Sequence, residues 1–247
     1  MRNVELSKLN NKNYEKIYNN ETIAYKFLTK KAETYTKFLY KKEKLSDEIY
    51  KDNIKDITIW SDKYKREKGN IGLYEENAKW INSILEMKVI KLGRLQFEIC
   101  EHIDEKLRLI IGNIKDFLFV NVHIREGEKL LPDLCEISYK RALEYYKSKG
   151  LTFSGTVFIC HSWLLNPDLK TLLPENSNII QFQKRYTFLF FDEKGKIPQI
   201  LQRVYGQTEK EIKMWQQNTV LQVNLKKAWQ SGQRFPMTKG YFIIPSL

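Results

Sequence analysis

From Phe117 to Trp163 the chain reads as a strand, a loop, a helix and a second strand, and no other feature constrains the fold as tightly. Phe117 to Ile124 is almost wholly apolar, as a central strand covered on both faces would be. In the helix predicted from about Pro132 to Lys149, Leu134, Ser138, Ala142, Tyr145 and Tyr146 share one face. Ser138 is the odd member, an aliphatic hydroxyl on an apolar stripe, and Gly150 ends the helix. Thr156 to Trp163 reads as another buried strand. The loop between, 125–131, feeds a helix N-terminus, where free backbone N–H groups and the positive end of the dipole suit a phosphate. Its spacing matches neither the P-loop nor the dinucleotide fingerprint, so on spacing alone it equally fits an ordinary connection.

The chain before this module looks helical. Its first 85 residues contain no Pro and two glycines, Gly69 and Gly72. One helix carries Ile23, Phe27 and Phe38 near a common stripe. A second starts at Ser46, an N-cap followed by Asp47 and Glu48, and ends near Lys68. A third runs from Tyr74 to Met87, with Trp80, Ile81, Ile84 and Leu85 on its apolar face. The pattern then changes. Lys88 to Ile99, Leu107 to Ile111 and Phe117 to Ile124 read most simply as three consecutive strands. This places a helical region at 1–87 and an α/β domain at 88–247. Within the latter, Asn166-Pro167 and Ser177 open short helical turns. Tyr186 to Asp192 is a strand, with a turn at 193–195 and Gln199 to Tyr205 as its partner. Thr219 and Gln222 have capping-box spacing, and Tyr241 to Pro245 is the last strand.

Composition excludes several classes. Hydrophobic residues make up 42% of the 247, enough for a sizeable core. No apolar run approaches the ~20 residues that span a bilayer, and Met1 to Lys12 holds no secretory apolar segment. Cys100, Cys135 and Cys160 are far apart and fit neither a disulfide framework nor a zinc site, so no metal is expected. A reduced, cytoplasmic protein follows from these features. The net charge of +12 suggests an anionic partner. It is spread, with +5 over residues 1–85 and +7 over 86–247, and there is no basic tail. That permits an anionic ligand and gives nucleic acid little support.

The candidates for chemistry are few. Of three histidines, His123 and His161 fall at or near the C-terminal ends of neighbouring predicted strands, the edge of an open α/β sheet where ligands sit. A histidine there can act as a base near neutral pH. Cys160-His161-Ser162-Trp163 is the densest polar cluster in an apolar context. Alternation sends Cys160 and Ser162 one way, His161 and Trp163 the other. Cys160 is a nucleophile only if its thiolate is stabilised, with His123 as the better partner, and otherwise a small buried hydrophobe. Glu98, in a predicted strand, fits either a base or an outward surface residue.

These residues also resemble a family. His123-Ile124-x-x-Gly127-x-x-Leu130, then Ser138 and Ala142, then Cys160-His161-Ser162-Trp163-Leu164-Leu165-x-Pro167-x-Leu169, then Leu173-Pro174-x-x-Ser177-Asn178-Ile179, look like the GNAT-like acyltransferases of Firmicutes and related bacteria. Leu92-Gly93-Arg94-Leu95-Gln96-Phe97-Glu98 is similar to the same family. The resemblance spans about residues 57–247. It implies a GNAT-like mixed central sheet flanked by helices, and N-acyl transfer from a thioester to an amine on a small molecule or peptide. Acyl-CoA is the implied donor, with acyl carrier protein as the alternative. The resemblance places the donor's pyrophosphate at the loop, at Ile124, Arg125, Glu126, Gly127 and Lys129, and its pantetheine arm between the strands 117–124 and 156–163. The usual Gln/Arg-x-x-Gly-x-Gly/Ala signature is absent after Ile124. His123 is then the base or orients a water, and His161, Ser162 and Trp163 border the acyl or acceptor pocket, with Glu98 near the substrate. The competing readings are a non-catalytic GNAT-like binding protein and a basic nucleic-acid-binding protein.

Overall fold

The computed structural model describes residues 17–192, 199–206 and 213–246. The chain divides between Leu92 and Gly93 into two compact units. The first is helical. Helix α1 (Glu21–Lys31) passes through a π-helical turn (Ala32–Thr36) into α2 (Lys37–Lys42). Helix α3 (Asp47–Lys68) begins at Ser46, whose hydroxyl accepts from the Ile49 N–H, and stops at Gly69 with φ +80°. Helix α4 (Glu75–Leu85) and a short strand, β1 (Val89–Lys91), complete the unit. Ala24, Leu28, Ile57, Leu73, Ile81 and Leu85 form its core. Lys31 is buried among them, and its ammonium is matched by Asn82 and Glu86 at 2.7 Å each.

The second unit is built on a mixed sheet. Its strands are β2 (Gln96–Ile99), β3 (Phe117–His123), β4 (Gly155–Ser162), β5 (Thr187–Asp192) and β6 (Met237–Pro245). They lie in the order β2-β3-β4-β6-β5, and only β3 and β4 pair in parallel. Helix α5 (Glu105–Ile111) precedes β3, and α6 (Pro132–Ser148) is the crossover from β3 to β4. Period-two alternation gives each sheet face its own core. Under α6, Tyr139 meets Phe97, Phe158 and Phe242 with ring centroids 5.0–6.0 Å apart. Under α5, Leu107 packs with Phe119, Val157, Ile159 and Leu189. The unit continues through α7 (Asn178–Gln183), α8 (Gln199–Tyr205) and α9 (Val220–Gln230). Ser177 caps α7, and Thr219 and Gln222 close a complete capping box on α9. No helix among the described residues is long and apolar enough to cross a membrane.

Three expected elements differ. Lys88 to Ile99 is two short strands, not one. Leu107 to Ile111 is the helix α5: Leu107 is fully buried while Leu109 is 79% exposed, so the apolar run does not bury alternate residues as a strand would. Gln199 to Tyr205 is the helix α8, with Ile200 and Leu201 inward, and the partner of β5 is β6. The expected turn at 193–195 lies outside the described residues.

Candidate active site

The parallel ladder between β3 and β4 runs from Phe117↔Gly155 to Asn121↔Ile159 and ends there. Beyond that point β3 stays paired with β2, as far as His123↔Gln96, and β4 stays paired with β6, as far as Ser162↔Thr238. The two central strands therefore part over their last residues. Continuing the register would set His123 opposite His161; instead these two side chains stand on either side of the opening.

On the β2–β3 side the opening carries a polar cluster. His123 Nε2 and Glu98 Oε2 are 2.9 Å apart. They meet on the diagonal of the antiparallel register, where Glu98 is paired with Asn121 and His123 with Gln96. The hydrogen bond from His123 holds the Glu98 carboxyl below the usual carboxylate range, against the opposing effect of burial. Asn121 Nδ2 donates to Glu98 Oε2 at 3.4 Å, and Cys100 Sγ donates to Asn121 Oδ1 at 3.0 Å. Burial pushes the Cys100 thiol up to about 12. Asn121 and Cys100 have no signature in the sequence; the register alone brings them here.

Cys160 does not belong to this cluster. Asn121 and Ile159 are register partners, so His123 shares its sheet face with His161, and Cys160 lies on the face under α6. The expected pairing of His123 with Cys160 fails for that reason. Cys160 is 1% exposed, and burial pushes its thiol up to about 12, which withholds the thiolate a nucleophile needs. His161 is exposed at the opening. The Ser162 hydroxyl accepts from the Leu164 N–H at 3.2 Å and caps a 3₁₀ turn (Trp163–Leu165), and Trp163 is buried within that turn.

The loop after β3 is pinned from three sides. The Arg125 guanidinium turns inward to Glu128 and is only 5% exposed. Glu126 meets Arg203 of α8 at 2.8 Å. Arg94 Nε and Nη2 donate to the carbonyls of Lys129 and Glu128 at 2.9 and 2.7 Å. Gly127 holds φ +90°, the left-handed conformation that lets successive N–H groups converge. Among the described residues, nothing accepts from the N–H groups of Gly127, Lys129 or Leu130. With the first turn of α6 immediately following, these donors form a concavity suited to an anion. The Lys129 side chain is exposed, whereas Arg125 is committed to the loop itself. A separate cavity of about 280 Å³ lies along β5 and β6, bordered by Leu165, Gln183, Lys184, Phe188, Lys239 and Gly240. Lys239 is the register partner of His161, which sets that cavity on the far side of β4 from the opening.

An opening between two parallel central strands, with an anion-ready loop at its mouth, defines a class. The model of the GNAT-like C-terminal domain matches residues 89–242, and the chain belongs to that family. Solved structures of acyltransferases resemble it. An acyltransferase in complex with decanoyl-CoA and teicoplanin has a TM-score of 0.69 and 21% identity, over 87% of this chain and 64% of that one. An acyltransferase in complex with decanoyl-CoA has a TM-score of 0.69 and 19% identity, over 87% and 63%. A third, in complex with CoA and 10C-teicoplanin, has a TM-score of 0.69 and 21% identity, over 87% and 64%. This chain spans less than two thirds of the length of those proteins. No curated protein sequence matches it.

Proposed function

We propose that the protein is an N-acyltransferase that moves an acyl group from acyl-CoA to an amine. The parting of β3 and β4 beyond Asn121↔Ile159 carries this reading. An extended pantetheine arm fits between the parted strands, its phosphates reach the loop at Gly127 to Leu130, and its thioester comes beside His123. The acyltransferases with CoA, decanoyl-CoA and teicoplanin support the reading, since they share the fold. The acceptor is an amine on a small molecule or a peptide, and acyl carrier protein is the alternative donor. The three free cysteines suit a reducing compartment, and we place the protein in the cytoplasm, where acyl-CoA is available.

The chemistry needs one base and no covalent enzyme intermediate. Glu98, its carboxyl held low by the hydrogen bond with His123, orients the ring, and the His123 imidazole is the proton acceptor. The amine nitrogen attacks the thioester carbonyl carbon as His123, directly or through one water, takes its proton. The carbon–sulfur bond then breaks, the amide remains, and the departing CoA thiolate collects a proton. The test follows CoA thiol release from octanoyl- or decanoyl-CoA by purified protein against a panel of amines, with the amide product identified by mass. Amine-dependent release is expected. CoA thioesters that neither bind nor turn over, beside oligonucleotides that bind tightly, would turn the assignment to the nucleic-acid alternative.

A further inference from the structure

The structure assigns Arg94 a positioning role: it sets the peptide planes of the loop 125–131 so that backbone N–H groups face the donor's phosphates. The assignment rests on the donor reading above. Arg94 is 5% exposed, yet its side chain makes its hydrogen bonds to carbonyls, those of Glu128 and Lys129, and not to a carboxylate. In a trans peptide the C=O of one residue and the N–H of the next point in opposite directions. No peptide bond among the described residues is cis. Drawing the Glu128 and Lys129 carbonyls toward Arg94 therefore turns the N–H groups of Lys129 and Leu130 to the other side of the loop. Those are two of the donors that nothing described accepts.

Arg94 is itself held in place. Its backbone N–H donates to Ser138 Oγ at 2.7 Å, and Ser138 Oγ donates to the Leu134 carbonyl at 2.8 Å, so α6 fixes the point from which the guanidinium reaches. Gly93 permits this approach: it holds φ +89°, and a Cβ there would stand 2.8 Å from Ser138 Oγ. The chemistry of the staple points to an anion. A neutral amide side chain could hold a carbonyl without the cost of burying a charge. Here Arg94 Nη1 is buried with no hydrogen-bond partner among the described residues. A buried cation with a spare donor, beneath a loop of outward N–H groups, is stabilised when a phosphate arrives.

The test compares two donors that share a thioester: acyl-CoA, and acyl-pantetheine, which lacks the pyrophosphate. Full-length wild type, Arg94→Gln, Arg94→Lys and Ser138→Ala are assayed with both, and CoA binding is measured by calorimetry. Arg94→Gln is expected to weaken CoA binding by about tenfold or more. The acyl-CoA KM rises while kcat stays close to wild type, and kcat/KM for acyl-pantetheine stays within about twofold. Arg94→Lys restores the charge without the two-pronged grip, and is expected to recover only part of the affinity. Equal losses with both donors, or unchanged CoA affinity, would overturn the assignment. Should the Arg94 variants not fold, Ser138→Ala carries the same comparison, with a smaller loss confined to acyl-CoA; a loss shared by both donors overturns the role. Wild-type protein that binds no CoA overturns the donor reading itself.

Discussion

Glu98 and His123 come together because two antiparallel strands offset them by a diagonal, which brings a carboxylate within 2.9 Å of an imidazole at the lip of the opening. His123→Ala and Glu98→Gln are each expected to lower kcat by about 10²- to 10⁴-fold, with little change in CoA affinity, in a thiol-release assay. Cys160→Ala should keep wild-type turnover, because a thiol held near 12 on the opposite face takes no part. Glu98 also links pH to stability. Its carboxyl is lowered in the folded state, first by the bond to His123. The stabilisation is therefore present above the unfolded value of about 4.3 and is lost as pH falls through the folded one. The melting-temperature gap between wild type and Glu98→Gln should be full near neutrality and closed in strong acid. His123 was legible in the sequence as a polar residue ending an apolar run. Glu98 was legible as a candidate only, since its face depends on a register that one strand cannot reveal. Alternation within β4 separates Cys160 from His161, but only the β3–β4 register shows that His123 lies on the His161 face and not with Cys160. Arg94 belongs to the family-like stretch Leu92 to Glu98, but nothing in the sequence marks the loop carbonyls as its partners.

Among the elements, the β3–loop–α6–β4 module was readable to within a residue or two, because each segment buries a continuous apolar face and its ends carry turn or cap chemistry. The ends of the other strong helices were marked as clearly, by Ser46, Ser177 and the Thr219–Gln222 box. Helices α5 and α8 were not readable as helices. Both are seven residues long, and in so short an apolar run the periods of helix and strand cannot be told apart. The parting of β3 and β4 was implied by family resemblance alone; it is a matter of which pairs stop, not of which residues are apolar. The two faces predict different sensitivities. Phe158 is fully buried in the aromatic cluster under α6, so Phe158→Ala should cost about 3–5 kcal/mol. Leu109 is 79% exposed on α5, so Leu109→Ala should stay within about 0.5 kcal/mol. Chemical denaturation of the two variants checks the pair.

For the whole molecule, the +12 charge is the feature most easily over-read. Part of it is spent inside the fold: Lys31, Lys91, Arg94 and Arg125 are all buried and bound to carboxylates, amides or carbonyls. What the second unit offers an anion is local: the loop between β3 and α6, its N–H groups turned one way and Arg94 behind it. The direct test is a crystal structure of the protein soaked with decanoyl-CoA. Density for the pantetheine arm between Val122–His123 and Cys160–His161, with phosphate oxygens within 3.2 Å or so of the Lys129 and Leu130 nitrogens, is the expected result. Donor density elsewhere on the molecule, or none at saturating concentration, would contradict it.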